Sequence, residues 1–561
     1  MARQEVYDAI VVGSGISGGW AAKEMTERGL RTLVLEAGRR IDPTDYEMST
    51  QPWELRHRGR RDRDKQEKER PIQRECYACD AYSEKFFVRD DLNPYTTGDG
   101  KRFSWIRSRQ VGGRSLVWGR QVYRWSDLDF EANSKDGYGV DWPIRYADIA
   151  PWYDHVERFI GISGQAEGLA QLPDGQFLPP MELNCAEQFV RDGLKRHYGR
   201  DRLLTIGRCA ILTREHNGRA ACHYCGVCER GCTTHSYFSS QAATLPAAEA
   251  TGRLTLRPHS VVHSVIYDPA SGRASGVRVI DAESHEELEF NARLVFLCAS
   301  ALESTRLLLN SSTERWPDGL ANSSGQVGRN LMDHTMGGGA RGRIPGLEDK
   351  WTFGRRPNGI YVPRFANLVD QHPDFLRGFA YQGGASRSGW ERGNSMEGFG
   401  ADFKHALRTP GPWSMGLYGF GECLPRESNY VDLDPEQVDA WGIPSLRIHC
   451  EWSDNERRVL REMATQAAEM LEAAGVRDVE DFVEDNPPGL TIHEMGTARM
   501  GRDPDTSVLN GWNQTWDVPN LFITDGACMT SSANQNPSIT YMALTARAVD
   551  HAVDLITRGE L

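Results

Sequence analysis

The hydrophobic pattern is clearest at the start of the chain. Tyr7-Asp8-Ala9-Ile10-Val11-Val12 is a short β-branched apolar run of the kind buried in a parallel sheet. It leads straight into Gly13-Ser14-Gly15-Ile16-Ser17-Gly18, after which Trp20 to Arg28 reads as helix. Gly29 follows, and Thr32-Leu33-Val34-Leu35 predicts a second buried strand ending on Glu36. Much later, Leu254-Thr255-Leu256 and Val261 to Ile266 predict strands, with a hairpin-like turn at Asp268 to Gly272. Leu294 to Ala299 predicts a return strand entering a helix at Ala301 to Asn310, the pattern of a doubly wound sheet. Residues 336–450 alternate like strands without any nucleotide signal, which predicts a separate substrate-side sheet. Ser453-Asp454-Asn455-Glu456 is a capping box. Val459, Leu460, Met463, Ala467, Met470 and Leu471 then follow at helical spacing as far as Gly475. Asp141 to Gly161, rich in aromatics, predicts a core helix after Pro143, and Asn520 to Thr524 predicts a strand before a last helix to Leu555.

The first strand, turn, helix and strand together carry a chemical expectation. Gly13 suits the tight turn, Gly15 lets backbone approach a pyrophosphate, and Gly18 lets helix pack on strand. Glu36, 18 residues past Gly18, is placed to accept hydrogen bonds from a ribose. The anion would sit on the N–H groups of the helix start, where the dipole favours it. A dinucleotide is therefore expected, FAD and NAD both being open at this point.

Composition narrows the classes. Sixty-five basic and 78 acidic residues give a net charge of −13, which argues against general polyanion binding. No apolar run approaches the ~20 residues of a membrane span. The start of the chain shows no n-region and h-region, so no cleavable secretion signal is expected. Arg56 to Arg70 carries both signs of charge with no apolar face and is expected to be a solvated loop or helix surface.

Twelve cysteines in 561 residues make no disulfide scaffold, and four of them fall within eleven residues. Cys222, Cys225, Cys228 and Cys232 have the spacing C-x2-C-x2-C-x3-C, an iron–sulfur run whose short gaps can aim several thiolates at one cluster. Zinc, or plain thiols, are the alternatives, and Thr233 stands where a proline usually follows. Cys76 and Cys79 form a lone C-x-x-C, expected to be a structural thiol pair.

The end of the chain carries a second dense signal. His493 lies in Thr491-Ile492-His493-Glu494-Met495-Gly496, and is followed by Asp525-Gly526 at a strand end and by Asn536-Pro537 at a helix start. A neutral imidazole, with a pKa near ~6.5, is the natural base for an alcohol.

Taken together these stretches resemble the glucose–methanol–choline (GMC) flavoprotein oxidoreductases. The stretches are GSGISG with Glu36, QVGGRSLVW, the strand through Val262, CASALESTRLLL, VGRNLMDH, HEMGTARMG and the closing DGACMTSSANQNPSITYMAL. The resemblance implies an α/β fold in which a Rossmann-like FAD-binding domain, of the kind shared with p-hydroxybenzoate hydroxylase, is interleaved with a substrate-binding α+β domain built on an antiparallel sheet. Residues 1–45, 100–135, 205–335 and 485–561 would form the first, and 46–99, 136–204 and 336–484 the second. It implies His493 as the base that takes the hydroxyl proton while hydride passes to the flavin, with Asn536 as its partner and His334 as the next candidate. It also implies FAD contacts from Gly112, Gly113, Ser115, Val262, Ala299, Asp525, Gly526, Asn536 and Pro537, beside Gly13, Gly15, Gly18 and Glu36. Val117 stands where some members attach flavin through a histidine, so non-covalent FAD is expected.

The cysteine run is foreign to the oxidases of the family. It resembles the large subunits of bacterial membrane-linked sugar dehydrogenases, nearest to those of the glucoside 3-dehydrogenases. That implies oxidation of a pyranoside C3 hydroxyl, a [3Fe-4S] or [4Fe-4S] cluster, a cytochrome c-type acceptor, and a small export subunit whose twin-arginine signal would carry the folded chain to the periplasm. A related enzyme acting on gluconate, a polyol or a sterol, with a structural zinc and a cytoplasmic location, is the alternative. A flavin-bound sensor without turnover is a third reading, opposed by His493 and Asn536.

Overall fold

The computed structural model describes residues 6–561 except Pro52 and residues 55–61. The charge-rich stretch from Arg56 therefore falls partly outside the described residues. Its remainder forms a short helix, Arg63–Glu69, capped by the Asp62 carboxylate and exposed at most positions.

The chain forms two main sheets, of seven and six strands. Parallel strands Leu254–Arg257, Thr32–Leu35, Val6–Val12 and the C-terminal half of Glu287–Leu297 lie in that order, with Leu521–Ile523 beyond the last. Val12 stands opposite both Leu35 and Leu297, so the turn at Gly13 leaves the sheet at its centre. The N-terminal half of Glu287–Leu297 continues past the parallel region and pairs antiparallel with Arg273–Asp281, which pairs with Ser260–Asp268. The parallel strands are buried on both faces: Ala9, Val11 and Val34 pack with Ala21 and Met25 of helix Ile16–Glu27 and Ala548 of the C-terminal helix, while Ile10, Leu33 and Val295 join a core that takes in Val277 and Val279 of the antiparallel strands. Helix Ile16–Glu27 and the C-terminal helix Ser538–Thr557 pack against one another there. Phe296 and Phe522 stack across adjacent strands with ring centroids 4.6 Å apart.

The second sheet is antiparallel, in the order Arg477–Val483, Thr335–Ile344, Trp413–Gly421, Phe379–Arg387, Ile360–Val362 and Thr205–Ile206. Period-two alternation divides its faces. Met415 and Leu417 join the core beneath helix Asp454–Ala473, whereas Gln382, Tyr418 and Phe420 face the other way, into a cavity. The capping box expected at Ser453 is present: Ser453 N donates to Glu456 Oε2 at 2.7 Å.

Packing within 136–204 divides. Helix Tyr146–Ile160 buries Ile149, Tyr153 and Val156 in the core of the parallel sheet, while helix Cys185–Tyr198 buries Val190 and Leu194 against the second sheet. Among the described residues no helix is long and apolar enough to cross a membrane.

Candidate active site

An elongated cavity system runs from the strand–turn–helix at the N-terminus to the inner face of the second sheet. Its nucleotide-side part is lined by Gly13, Gly15, Glu36, Gly113, Val262 and Ala299. Its wider part, about 670 Å³, is lined by Ser115, His493, Asp525, Gly526 and Asn536 together with Gln382, Tyr418 and Phe420. The two share Arg114, Cys298 and Ser300. Residues predicted from opposite ends of the chain thus line two adjoining cavities with three residues in common.

The glycines of the turn differ in what surrounds them. Gly13 has a φ of +94°, which a side chain opposes. At Gly18 an added Cβ would stand 1.9 Å from the Gly13 carbonyl oxygen, so helix and turn touch through it. At Gly15 an added Cβ would meet nothing within 4 Å, because that side of the residue opens on the cavity. Glu36 accepts from Ser14 N at 3.1 Å and from Gly38 N at 3.0 Å, and Ser14 Oγ in turn accepts from Gly112 N at 3.0 Å. The acid therefore holds the turn as well as facing the cavity.

Gly18, Gly112 and Pro537 do not line the space. Gly112 lies under Gln241, and Pro537 starts the C-terminal helix, whose Ser538 and Tyr541 do line it. The N-termini of this helix and of Ile16–Glu27 both open on the cavity, which favours negative charge there.

The space suits a phosphate-bearing flavin dinucleotide. Ser108 Oγ and Arg109 Nη1 on the nucleotide side, and Tyr541 Oη on the wide side, are buried without a hydrogen-bond partner. Orphaned buried donors are costly unless a ligand meets them. Asp525 accepts from Ala527 N at 3.0 Å and from the Ser304 hydroxyl, and burial raises its pKa to about 6. Ser300, with a φ of +86°, starts helix Ala301–Asn310 at the junction of the two parts.

His493 rests on a loop held from beneath by one carboxylate. Asp333 accepts from Gly489 N at 2.8 Å, Thr491 N at 3.3 Å, His493 N at 3.1 Å and the Thr491 hydroxyl. These bonds hold Ile492 at a φ of +67°, a region costly for a β-branched residue and typical of functional sites. His493 Nδ1 lies 2.9 Å from Nδ1 of His334, which is fully buried and does not line the cavity. Burial, with His334 and Arg114 nearby, holds the His493 pKa well below its ordinary value. Burial alone carries His334 down to about 4. Both imidazoles are neutral near pH 7. On the other wall Gln382 Nε2 donates to Asn536 Oδ1 at 2.6 Å.

Two cavity positions escape the sequence: Gln382 sits in a strand with no motif, and Arg114 lies unmarked inside QVGGRSLVW. Arg114 forms a 3.0 Å ion pair with the buried Glu494 and lines both parts of the cavity. A cation directly after a Gly-Gly turn was the available signal for it.

The cysteine run departs from expectation. Cys222, Cys225, Cys228 and Cys232 share a loop, yet among the described residues no group of three or more His, Cys, Asp or Glu side chains is arranged to hold a metal ion. Two of the thiols have hydrogen-bond partners of their own. Cys222 Sγ accepts from Tyr224 N at 3.4 Å, and Cys232 Sγ meets Thr234 Oγ1 and Ser236 N, each at 3.3 Å. Burial pushes the Cys228 thiol up to about 12. The donor set does not fit a cluster in this arrangement. Cys76 and Cys79 are buried, and Cys76 touches the wide part of the cavity.

Comparison with known proteins agrees with this geometry. The GMC oxidoreductase family model matches residues 7–336 in its N-terminal part and 425–545 in its C-terminal part. The chain belongs to the GMC oxidoreductase family. It is 31% identical to 2-methyl-1,2-propanediol dehydrogenase of Mycolicibacterium austroafricanum, across 97% of this chain and 94% of that one. It is 25% identical to the fructose dehydrogenase large subunit of Gluconobacter japonicus, across 98% of each. Pyridoxine 4-oxidase from Mesorbium loti has the same fold, with a TM-score of 0.60 at 18% identity over 98% of this chain and 99% of that one. The protein is thus an FAD-dependent GMC oxidoreductase acting on CH–OH groups of the alcohol and sugar type.

Proposed function

We propose that this oxidoreductase is a dehydrogenase that converts a secondary hydroxyl of a pyranoside, at C3, to the ketone, with His493 as base. The observation that carries the reading is that His493 and Asn536 line the same cavity as Asp525 and Gly526, and that this cavity shares Arg114, Cys298 and Ser300 with the one lined by Gly15 and Glu36. Bound FAD, held without a covalent link because Val117 offers no attachment, supplies the acceptor for the hydride leaving the carbinol carbon. The chain's own residues do the rest. His493 takes the hydroxyl proton at its cavity-facing nitrogen, and its lowered pKa keeps it unprotonated and ready. Asn536, its carbonyl oxygen engaged by Gln382, offers N–H groups to the same substrate oxygen. Gly15, Ser108 and Arg109 are assigned to the nucleotide half, and Arg114 and Asp525 to the junction.

A second reading, a small diol as substrate, is favoured by the likeness to the propanediol dehydrogenase. Reoxidation is assigned to a cytochrome c-type partner rather than oxygen, with periplasmic export beside a small signal-bearing subunit. That assignment rests on the spacing of Cys222, Cys225, Cys228 and Cys232.

His493→Ala tests the base. It should retain FAD and lose on the order of 10²–10⁴-fold in the rate of flavin reduction by methyl glucosides. A variant reduced at the wild-type rate would move the base elsewhere. Flavin bleaching by 2-methyl-1,2-propanediol and not by glucosides would select the diol reading.

A further inference from the structure

We propose that His334 is a positioning residue that fixes the tautomer of His493, leaving the Nε2 lone pair of His493 directed at substrate. The inference rests on His493 acting as the base and explains how the fold makes it one.

The argument starts at a backbone carbonyl. His334 Nε2 lies 3.0 Å from the carbonyl oxygen of Ser532. A carbonyl only accepts, so this nitrogen carries the proton. His334 is neutral, being fully buried with its pKa near 4, and a neutral imidazole holds a single N–H. Its Nδ1 therefore carries a lone pair. That lone pair lies 2.9 Å from Nδ1 of His493, a separation at which one nitrogen must donate. Only His493 has a proton to give there. His493 is accordingly the Nδ1–H tautomer, with Nε2 unprotonated.

The alternative tautomer would be inert as a base. With its proton on Nε2, His493 would donate to the substrate hydroxyl and accept nothing. It would also set two lone pairs against each other at 2.9 Å.

The same bond serves after proton transfer. When Nε2 has taken the hydroxyl proton, Nδ1–H still donates to His334 and shares the new positive charge. His334 cannot pass the proton on, because its far side ends at the Ser532 carbonyl. The proton must leave His493 through the cavity. Of the charged groups near the pair, Arg114 faces His493, Glu422 faces His334, and Asp333 is spent on backbone N–H groups and the Thr491 hydroxyl.

The sequence already marked His334 as a second candidate base. Its burial and its bonding at both nitrogens remove it from that role and give it this one.

Nitrogen-15 NMR of the histidine-labelled resting holoenzyme tests the inference without any variant. The expected result is protonation at Nδ1 of His493 and at Nε2 of His334. A His493 proton on Nε2 would overturn it. His334→Leu should then give a mixed His493 tautomer and slow flavin reduction on the order of 10–100-fold. His334→Asn places an amide oxygen where Nδ1 was, and should restore the tautomer and bring the rate within several-fold of wild type. A leucine variant that kept both tautomer and rate, or an asparagine variant no better than leucine, would also overturn it. Failure of the base reading shows differently: His493→Ala would keep its rate while the wild-type tautomers stayed as stated.

Discussion

Gln382 determines which end of the Asn536 amide is left free in the cavity, and with it, under the proposed mechanism, which end meets the reacting oxygen. An asparagine side chain can rotate to present either an acceptor or two donors, and a donor is wanted where oxygen gathers negative charge. With Oδ1 tied to Gln382 Nε2 at 2.6 Å, the donors are the end left over. Gln382→Leu removes the tether and frees the amide to turn. Losing one neutral hydrogen bond that acts in the transition state is worth about 1–2 kcal/mol, so flavin reduction at saturating substrate should fall roughly 5- to 30-fold. Retained FAD and a little-changed apparent substrate affinity in stopped-flow traces would separate this from a packing defect. An unchanged rate would mean that Asn536 is oriented by something else.

At the scale of elements, catalytic geometry depends on close approaches between backbones. Helix Ile16–Glu27 can start at the turn only because Gly18 has no side chain. Gly18→Ala would drive a Cβ to 1.9 Å from the Gly13 carbonyl oxygen, which neither backbone can accommodate without shifting. The anion-facing N–H groups shift with the helix. The expected outcome is loss of the 450 nm flavin band from protein that still shows native far-UV circular dichroism, with a weakened melting transition. Gly29→Ala is the matched control, since an added Cβ there meets nothing within 4 Å, although its φ of +91° makes a modest cost in stability expected. The loop under His493 follows the same logic from a polar side. Asp333 gathers its backbone donors so that Ile492 stays in a left-handed conformation it would otherwise leave.

At the scale of the molecule, the cavity lies between two sheets built from widely separated stretches of chain. The parallel sheet supplies the nucleotide half through helix termini, and the antiparallel sheet supplies the wall opposite His493. The cysteine loop stands outside this cavity, braced by Tyr46 beside Gly231 and by Arg355 beside Gly226. Two measurements on the purified protein address its cofactors. Trichloroacetic acid should release all FAD into the supernatant, because Val117 replaces the attaching residue, and colour retained in the pellet would contradict this. Iron and acid-labile sulfide should both be below one atom per chain if the loop keeps the arrangement seen here. Stoichiometric iron and sulfide would mean that the four thiols rearrange around a cluster.

Local pattern carried much of the reading. The first strand, helix Ala301–Asn310 and the capped helix from Asp454 stand where their spacing placed them, whereas the first helix starts at Ile16, ahead of the expected Trp20, and the return strand runs Glu287–Leu297 rather than Leu294–Ala299. Short-range rules suffice there, since strand burial, glycine at a positive φ and a capping serine act within a few residues. The cysteine spacing shows the limit of such rules, because spacing sets what a loop can reach and neighbouring partners set where its thiols point. Likewise no local signal pairs His334 with His493, 159 positions away, or Gln382 with Asn536, 154 away. A hydrogen bond between side chains so far apart in the chain exists only once two sheets have packed. His493 and Asn536 were therefore legible from motif, whereas Gln382 and Arg114 were not. Which nitrogen holds the proton and which end of an amide faces the substrate came from packing, because both depend on a partner that folding brings within 3 Å.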